Sequence, residues 1–213
     1  MPDEVTNALK EHYARKFSEF GATAKGVDWG KDEDVLLRHK MMSGLIINDN
    51  YRTSDGQSQP SLLDVGCGYG GFYEYLRSIG LNVSYTGIEV VQQMVDYGKA
   101  AYPSATFIEG DFLDKADLRF DYVVCNGILT QKLSTSILDM DRFANNLIRK
   151  MFEAANKGLA FNIMSTKVNF MVNNLYYRHP ADVLTFCLNE LTSKVRLEHS
   201  YALFEYTVYL YKV

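Results

Sequence analysis

Leu62-Leu63-Asp64-Val65-Gly66-Cys67-Gly68-Tyr69-Gly70-Gly71-Phe72 is a short apolar run that ends in clustered glycines and passes directly into a helical pattern. A buried strand followed by a glycine-rich turn and a helix places free backbone N–H groups at a positive helix end. Glycines there let the main chain come close to a ligand, and the helix dipole favours negative charge. A carboxylate or phosphate of a ligand suits this turn. Gly66, Gly68 and Gly71 also satisfy the spacing of dinucleotide-binding turns, so on this stretch alone a nicotinamide-dependent oxidoreductase stays open.

Three acids narrow the reading. Asp64 lies two positions before the first glycine, where a dinucleotide-binding strand usually keeps an apolar side chain; a carboxylate there can anchor an amine-bearing, amino-acid-like ligand. Glu89, in Tyr85-Thr86-Gly87-Ile88-Glu89-Val90, ends the next strand about 20 residues beyond the turn, the place from which a carboxylate accepts ribose hydroxyls. In Phe107-Ile108-Glu109-Gly110-Asp111-Phe112, Asp111 follows a third strand. There an acid can accept an adenine amine while Phe112 covers the ring face, although such a Gly-Asp pair also serves as a plain turn.

Around this centre, apolar runs alternate with helical patterns, the signature of βαβ units and a mostly parallel sheet. Strands are predicted over 61–65, 83–89, 106–109, 120–125 and 159–164, with helices near 72–79, 91–102 and 136–156. The runs 195–199 and 203–211 are too close for a crossover helix and should pair as an antiparallel hairpin. Upstream, helices are expected over 5–20 and from Asp32, as N-cap, to 47, followed by a polar linker over 48–60. The expected organisation is a helical lid and linker over residues 1–60 and an α/β domain over residues 61–213.

Bulk properties set outer limits. The 213 residues suffice for a core that needs no disulfide or metal. At 47% hydrophobic and 23% charged residues the composition is that of a globular protein. A net charge of −4 and a pI near 5.6 argue against the broad basic face that nucleic-acid binding needs. No apolar run approaches the roughly 20 residues of a membrane span. The opening Met1-Pro2-Asp3-Glu4 lacks a signal-peptide layout, so a cytoplasmic location is expected. Cys67, Cys125 and Cys187 are odd in number and far apart, and His12, His39 and His199 lack metal-ligand spacing, so no disulfide framework or metal site is expected.

In this order, Asp64, the glycine turn, Glu89 and Asp111-Phe112 resemble the class I S-adenosylmethionine-dependent methyltransferases, over residues 61–213. The resemblance implies a Rossmann-like, doubly wound, mostly parallel seven-stranded sheet with a C-terminal antiparallel hairpin, and S-adenosyl-L-methionine as cofactor. It places Gly66, Gly68 and Gly70 against the methionine moiety, Asp64 at its amino group, Glu89 at the ribose, and Asp111 and Phe112 at the adenine, with Cys67 and Val90 in the same turns. Asn126 would offer a backbone carbonyl to the methionine amine. Cys125-Asn126-Gly127-Ile128 departs from the Asn-Pro-Pro-aromatic tetrad of enzymes that methylate nucleobase or glutamine amines, so the likeness points to the small-molecule branch of trans-aconitate type.

Methyl transfer from a sulfonium mainly needs alignment and exclusion of water. The acceptor is expected to be a small acid, alcohol or amine, and the protein a monomer or homodimer that acts without nucleic acid or membrane. Tyr13 and Trp29 are expected to close over the cofactor, and Arg38 to pair with a carboxylate of cofactor or substrate. Tyr13 and Phe17, at helical spacing, also read as simple packing of the first helix. Tyr176, Tyr177, Arg178 and His179 could line the acceptor pocket, with Tyr176, His179 and Asn126 as catalytic candidates; a surface turn before a helix starting at Pro180 explains His179 equally. The same fold also hosts non-methylating sulfonium chemistry, such as intramolecular cyclisation with release of methylthioadenosine, and a non-catalytic binding module is a further alternative.

Overall fold

The computed structural model describes residues 4–49 and 59–213. Most of the predicted polar linker therefore lies outside the described residues. Five strands, β1 (Ser61–Val65), β2 (Ser84–Glu89), β3 (Thr106–Glu109), β4 (Phe120–Cys125) and β5 (Ala155–Ser165), pair in parallel. Strands β7 (Val195–Glu198) and β8 (Glu205–Tyr211) complete the sheet in the order β3-β2-β1-β4-β5-β8-β7, with β8 antiparallel to both neighbours. The two-residue β6 (Tyr177–Arg178) pairs with the end of β5 outside this path.

The strand order reverses at β1, which has β2 on one side and β4 on the other. Ligand crevices of open α/β sheets form beyond the carboxyl ends of strands at such a switch point. Register brings those ends together: Val65 pairs with Ile88 and with Cys125, and Glu89 pairs with Glu109.

Alternate side chains of each strand feed two cores. Leu63 and Val65 of β1, Val123 and Cys125 of β4, and Tyr206, Val208 and Leu210 of β8 face the side covered by α1 (Glu4–Phe20), α5 (Ile137–Ala154) and α6 (Pro180–Glu190). Leu62, Tyr122, Val124 and Tyr209 face α2 (Asp32–Asn48), α3 (Gly71–Ser78) and α4 (Gln92–Ala101). Burial on both faces is why these strands read as nearly continuous apolar runs.

In α5 the buried positions Met140, Phe143, Ala144, Leu147, Ile148 and Met151 follow helical spacing, and Ser136 caps the first turn by accepting from Asp139 N at 3.1 Å. Two boundaries differ from expectation. Lys31, not Asp32, precedes α2, and it makes no side-chain cap; Asp32, Glu33 and Asp34 instead occupy the first turn, where their charge suits the helix dipole. Strand β5 begins directly at the end of α5, so the polar Asn156-Lys157-Gly158 that looked like a helix end and loop belongs to the strand. None of the described helices is long and apolar enough to cross a membrane.

Candidate active site

A cavity of about 110 Å³ opens beyond the carboxyl ends of β1 to β4. Its floor is the glycine turn, which is tied to β2 because Gly66 N and Cys67 N both donate to Ile88 O, at 2.8 and 3.2 Å. Gly66, Cys67 and Gly68 all line it.

Asp64, 2% exposed, sits in the wall and accepts the Tyr85 hydroxyl at 2.6 Å. Burial pushes its carboxyl up to about 7 despite that hydrogen bond, with the nearby Glu89 adding to the rise. Glu89 is also buried, and its carboxylate accepts from Gly68 N and from Val91 N, each at 3.0 Å. Burial raises its pKa, while these backbone donors partly offset the effect. A carboxylate has about four acceptor positions. Two at Glu89 are filled from its own turns, which leaves capacity for a diol.

Val90, Asp111 and Phe112 continue the wall, and Asp111 also caps its own turn by accepting Leu113 N at 2.8 Å. Asn126 supplies the sharpest signal. It is 9% exposed and lines the cavity, yet neither its Nδ2 nor its Oδ1 has a hydrogen-bond partner. A buried amide normally satisfies both atoms, so an unpaired one in a cavity wall points to a ligand. Tyr13 of α1, Trp29, and His39 of α2 close the opposite side.

Residues 62–151 match the family described as methyltransferase domain. Over that stretch the chain is similar to methyltransferase domains, in agreement with the resemblance read from its sequence. Rv1506c of Mycobacterium tuberculosis, whose name proposes a methyltransferase without a substrate, is 29% identical over 71% of this chain and 93% of its own. Among solved structures, the magnesium protoporphyrin IX methyltransferase of Synechocystis PCC 6803 with bound S-adenosylmethionine superposes with a TM-score of 0.68 at 12% identity, covering 99% of this chain and 98% of that one. The cyclase SpnF gives 0.62 at 15% identity, covering 93% and 76%. At these identities the structural likenesses speak for the fold.

Gly70, Arg38, Tyr176 and His179, all singled out in the sequence, stand apart from the cavity. Gly70 precedes α3 at φ +94°, but a Cβ there would lie 2.8 Å from Phe107 and 3.0 Å from Tyr102, so its bareness serves core packing and it is absent from the cavity wall. Arg38 is also absent from the wall; its guanidinium grips Glu205 through Nε at 3.0 Å and Nη2 at 2.9 Å. Tyr176 is buried with its hydroxyl donated to Asp141 of α5. His179 caps α6, accepting Ala181 N at 3.2 Å. The neighbouring Arg178 donates to Asn145 at 2.8 Å. Tyr176 and His179 thus tie the β6–α6 connection together and lie outside the lining of this cavity.

Other wall residues carried no separate signal in the sequence: Thr6 and Leu9 of α1, Met94, Phe143 and Leu147. They are the inward stripes of amphipathic helices, indistinguishable by pattern from ordinary core. Cys67, in the wall, packs its sulfur where a Cβ at Gly87 would come within 2.4 Å, and burial pushes its thiol well up, so it acts as a small apolar filler.

Proposed function

We propose that this domain transfers the methyl group of S-adenosylmethionine to a small-molecule acceptor, with residues 4–49 forming a lid over the site. The unpaired Asn126 amide, in a wall shared with Asp64, the glycine turn and Glu89, carries this reading. When bound, the cofactor supplies a sulfonium-activated methyl group. Asp64 would take the α-ammonium, the remaining acceptor positions of Glu89 the ribose hydroxyls, and Asp111 the adenine amine, with Phe112 against the ring.

Arg38 keeps one buried nitrogen, Nη1, without a partner, on the far side of Trp29 from the open space, so its charge rather than a direct bond favours the carboxylate of the amino-acid end. The largely apolar closing side from Tyr13 to Val35 excludes water from the reacting atoms. His39, buried in the wall, has its imidazole pKa lowered to about 4 by desolvation and by Arg38, so at neutral pH it is neutral, a weak base but a ready hydrogen-bonding group. It can orient a hydroxyl or amine acceptor through such a bond.

Incubation with methyl-labelled cofactor and a panel of acids, alcohols and amines, with mass identification of both products, tests the reading. S-adenosylhomocysteine and a labelled acceptor are expected. Methylthioadenosine instead would report attack on the aminobutyrate chain and overturn methyl transfer.

A further inference from the structure

Glu205 opens β8, a strand otherwise made of aromatic, aliphatic and threonine side chains, and it is 1% exposed. A lone carboxylate at that depth is costly unless donors surround it. Three groups do so. Arg38 Nε donates to both carboxylate oxygens, at 3.2 and 3.0 Å, and Arg38 Nη2 adds a bond at 2.9 Å. Asn162 Nδ2, from the middle of β5, donates to Oε1 at 2.9 Å.

The contacts then run on into the site. With its amide nitrogen committed to Glu205, Asn162 turns its Oδ1 to accept Gly127 N at 2.9 Å. Gly127, at φ +103°, follows Asn126 of the cavity wall, and a Cβ there would lie 3.1 Å from the Trp29 ring. The Arg38 guanidinium stacks over that same ring, 5.1 Å from its centroid. Arg38, Glu205, Asn162, Gly127 and Trp29 therefore form a closed ring of contacts drawn from α2, β8, β5, the turn after β4 and the segment before α2. Unpaired polar atoms lie on this ring at Arg38 Nη1 and beside it at Asn126.

We propose that Glu205 is a positioning residue for the cofactor's amino-acid end. It fixes Arg38 and Trp29 on the lid side and, through Asn162, the Asn126–Gly127 turn on the strand side, so both walls are held before the ligand arrives. This inference rests on the cofactor reading above. The requirement is for a carboxylate: an acceptor-only group meets three donors, whereas glutamine would direct an NH2 at one of them. Either Arg38 or Asn162 must then let go.

Trp29 is the only tryptophan in the sequence, so its emission reports on the ring directly. The experiment measures Trp29 fluorescence and S-adenosylhomocysteine affinity for the unsubstituted chain, Glu205→Gln, Arg38→Ala, the Arg38→Ala/Glu205→Gln pair, and Asn162→Asp, which keeps the acceptor for Gly127 N while removing the donor to Glu205. Expected are a shifted emission in unliganded Glu205→Gln, an affinity loss of about tenfold, and a double variant little worse than Arg38→Ala alone. Asn162→Asp should reproduce the loss, and it carries the test if Glu205→Gln does not fold. Unchanged affinity and emission in folded variants, or losses that simply multiply, would overturn the positioning role while leaving the cofactor reading intact. Failure of the unsubstituted chain to bind S-adenosylhomocysteine would overturn the cofactor reading, and the positioning role with it.

Discussion

Asp64 shows how one residue couples stability to ligand binding. Its folded pKa, about 7, lies above the ordinary 3.8 because burial penalises the charge. Its contribution to folding is therefore full below about pH 4 and is lost as pH rises through 7. Asp64→Asn, which can still accept the Tyr85 hydroxyl, is expected to raise the melting temperature at pH 8 while sharply weakening S-adenosylhomocysteine binding, a split that calorimetry resolves. In the unsubstituted protein, affinity should increase from pH 6 to pH 8 as Asp64 ionises to meet the ammonium. For His39 the expectation concerns positioning: His39→Ala should slow transfer to a hydroxyl or amine by about tenfold, and His39→Gln, which keeps a neutral hydrogen-bonding group, should retain most of the rate. The placement of Asp64, Glu89 and Asp111 at strand ends was legible because it follows from local spacing to the glycine turn. Arg38 was legible as a charge but its partner was not, since Glu205 lies 167 residues away and no local pattern links them. The partners of Tyr176 and His179 were not legible for the same reason: they are long-range or in the backbone of the following helix.

Among the elements, α1 is attached to the site by a compact polar latch. Asp28, in a left-handed conformation at φ +56°, accepts His12 Nε2 at 2.9 Å and Lys16 Nζ at 2.7 Å from α1, and Gln131 Nε2 at 3.1 Å from the segment after β4. Burial alone would raise its carboxyl; the bonds from Lys16 and His12 outweigh that and hold it below the ordinary value. Asp28→Ala is expected to speed amide hydrogen exchange in α1 while β1, β4 and β5 stay protected, because the latch belongs to a locally opening unit and not to the core. Exchange unchanged in α1 would show that apolar contacts such as Leu9 suffice. The strands β1, β3 and β4 were readable to the residue because their apolar runs are bounded by turn signals. The start of β5 was not, because Asn156, Lys157 and Gly158 give no strand signal: Gly158 pairs with Tyr122 of β4 and Tyr211 of β8, and Lys157 has an ion pair with Asp121 at 3.3 Å.

At the scale of the whole molecule, the antiparallel β8 is wedged between β5 and β7, which brings a residue from the last tenth of the chain against a helix that precedes the sheet. The parallel sheet and the terminal hairpin were legible as alternation and spacing; the closure of N- and C-terminal segments around Arg38 and Glu205 was not, because it exists only once the sheet order is set. That order places the carboxyl ends of β1 to β4 around one cavity, and the central claim is that this cavity is shaped for an adenosine joined to an amino acid. Calorimetric titration with S-adenosylhomocysteine tests it most directly. Saturable binding at one site per chain, with Kd on the order of micromolar or tighter, weakened at least about tenfold by Asp64→Ala and by Glu89→Ala, is the expected result; absence of saturable binding, or binding indifferent to both substitutions, would contradict it.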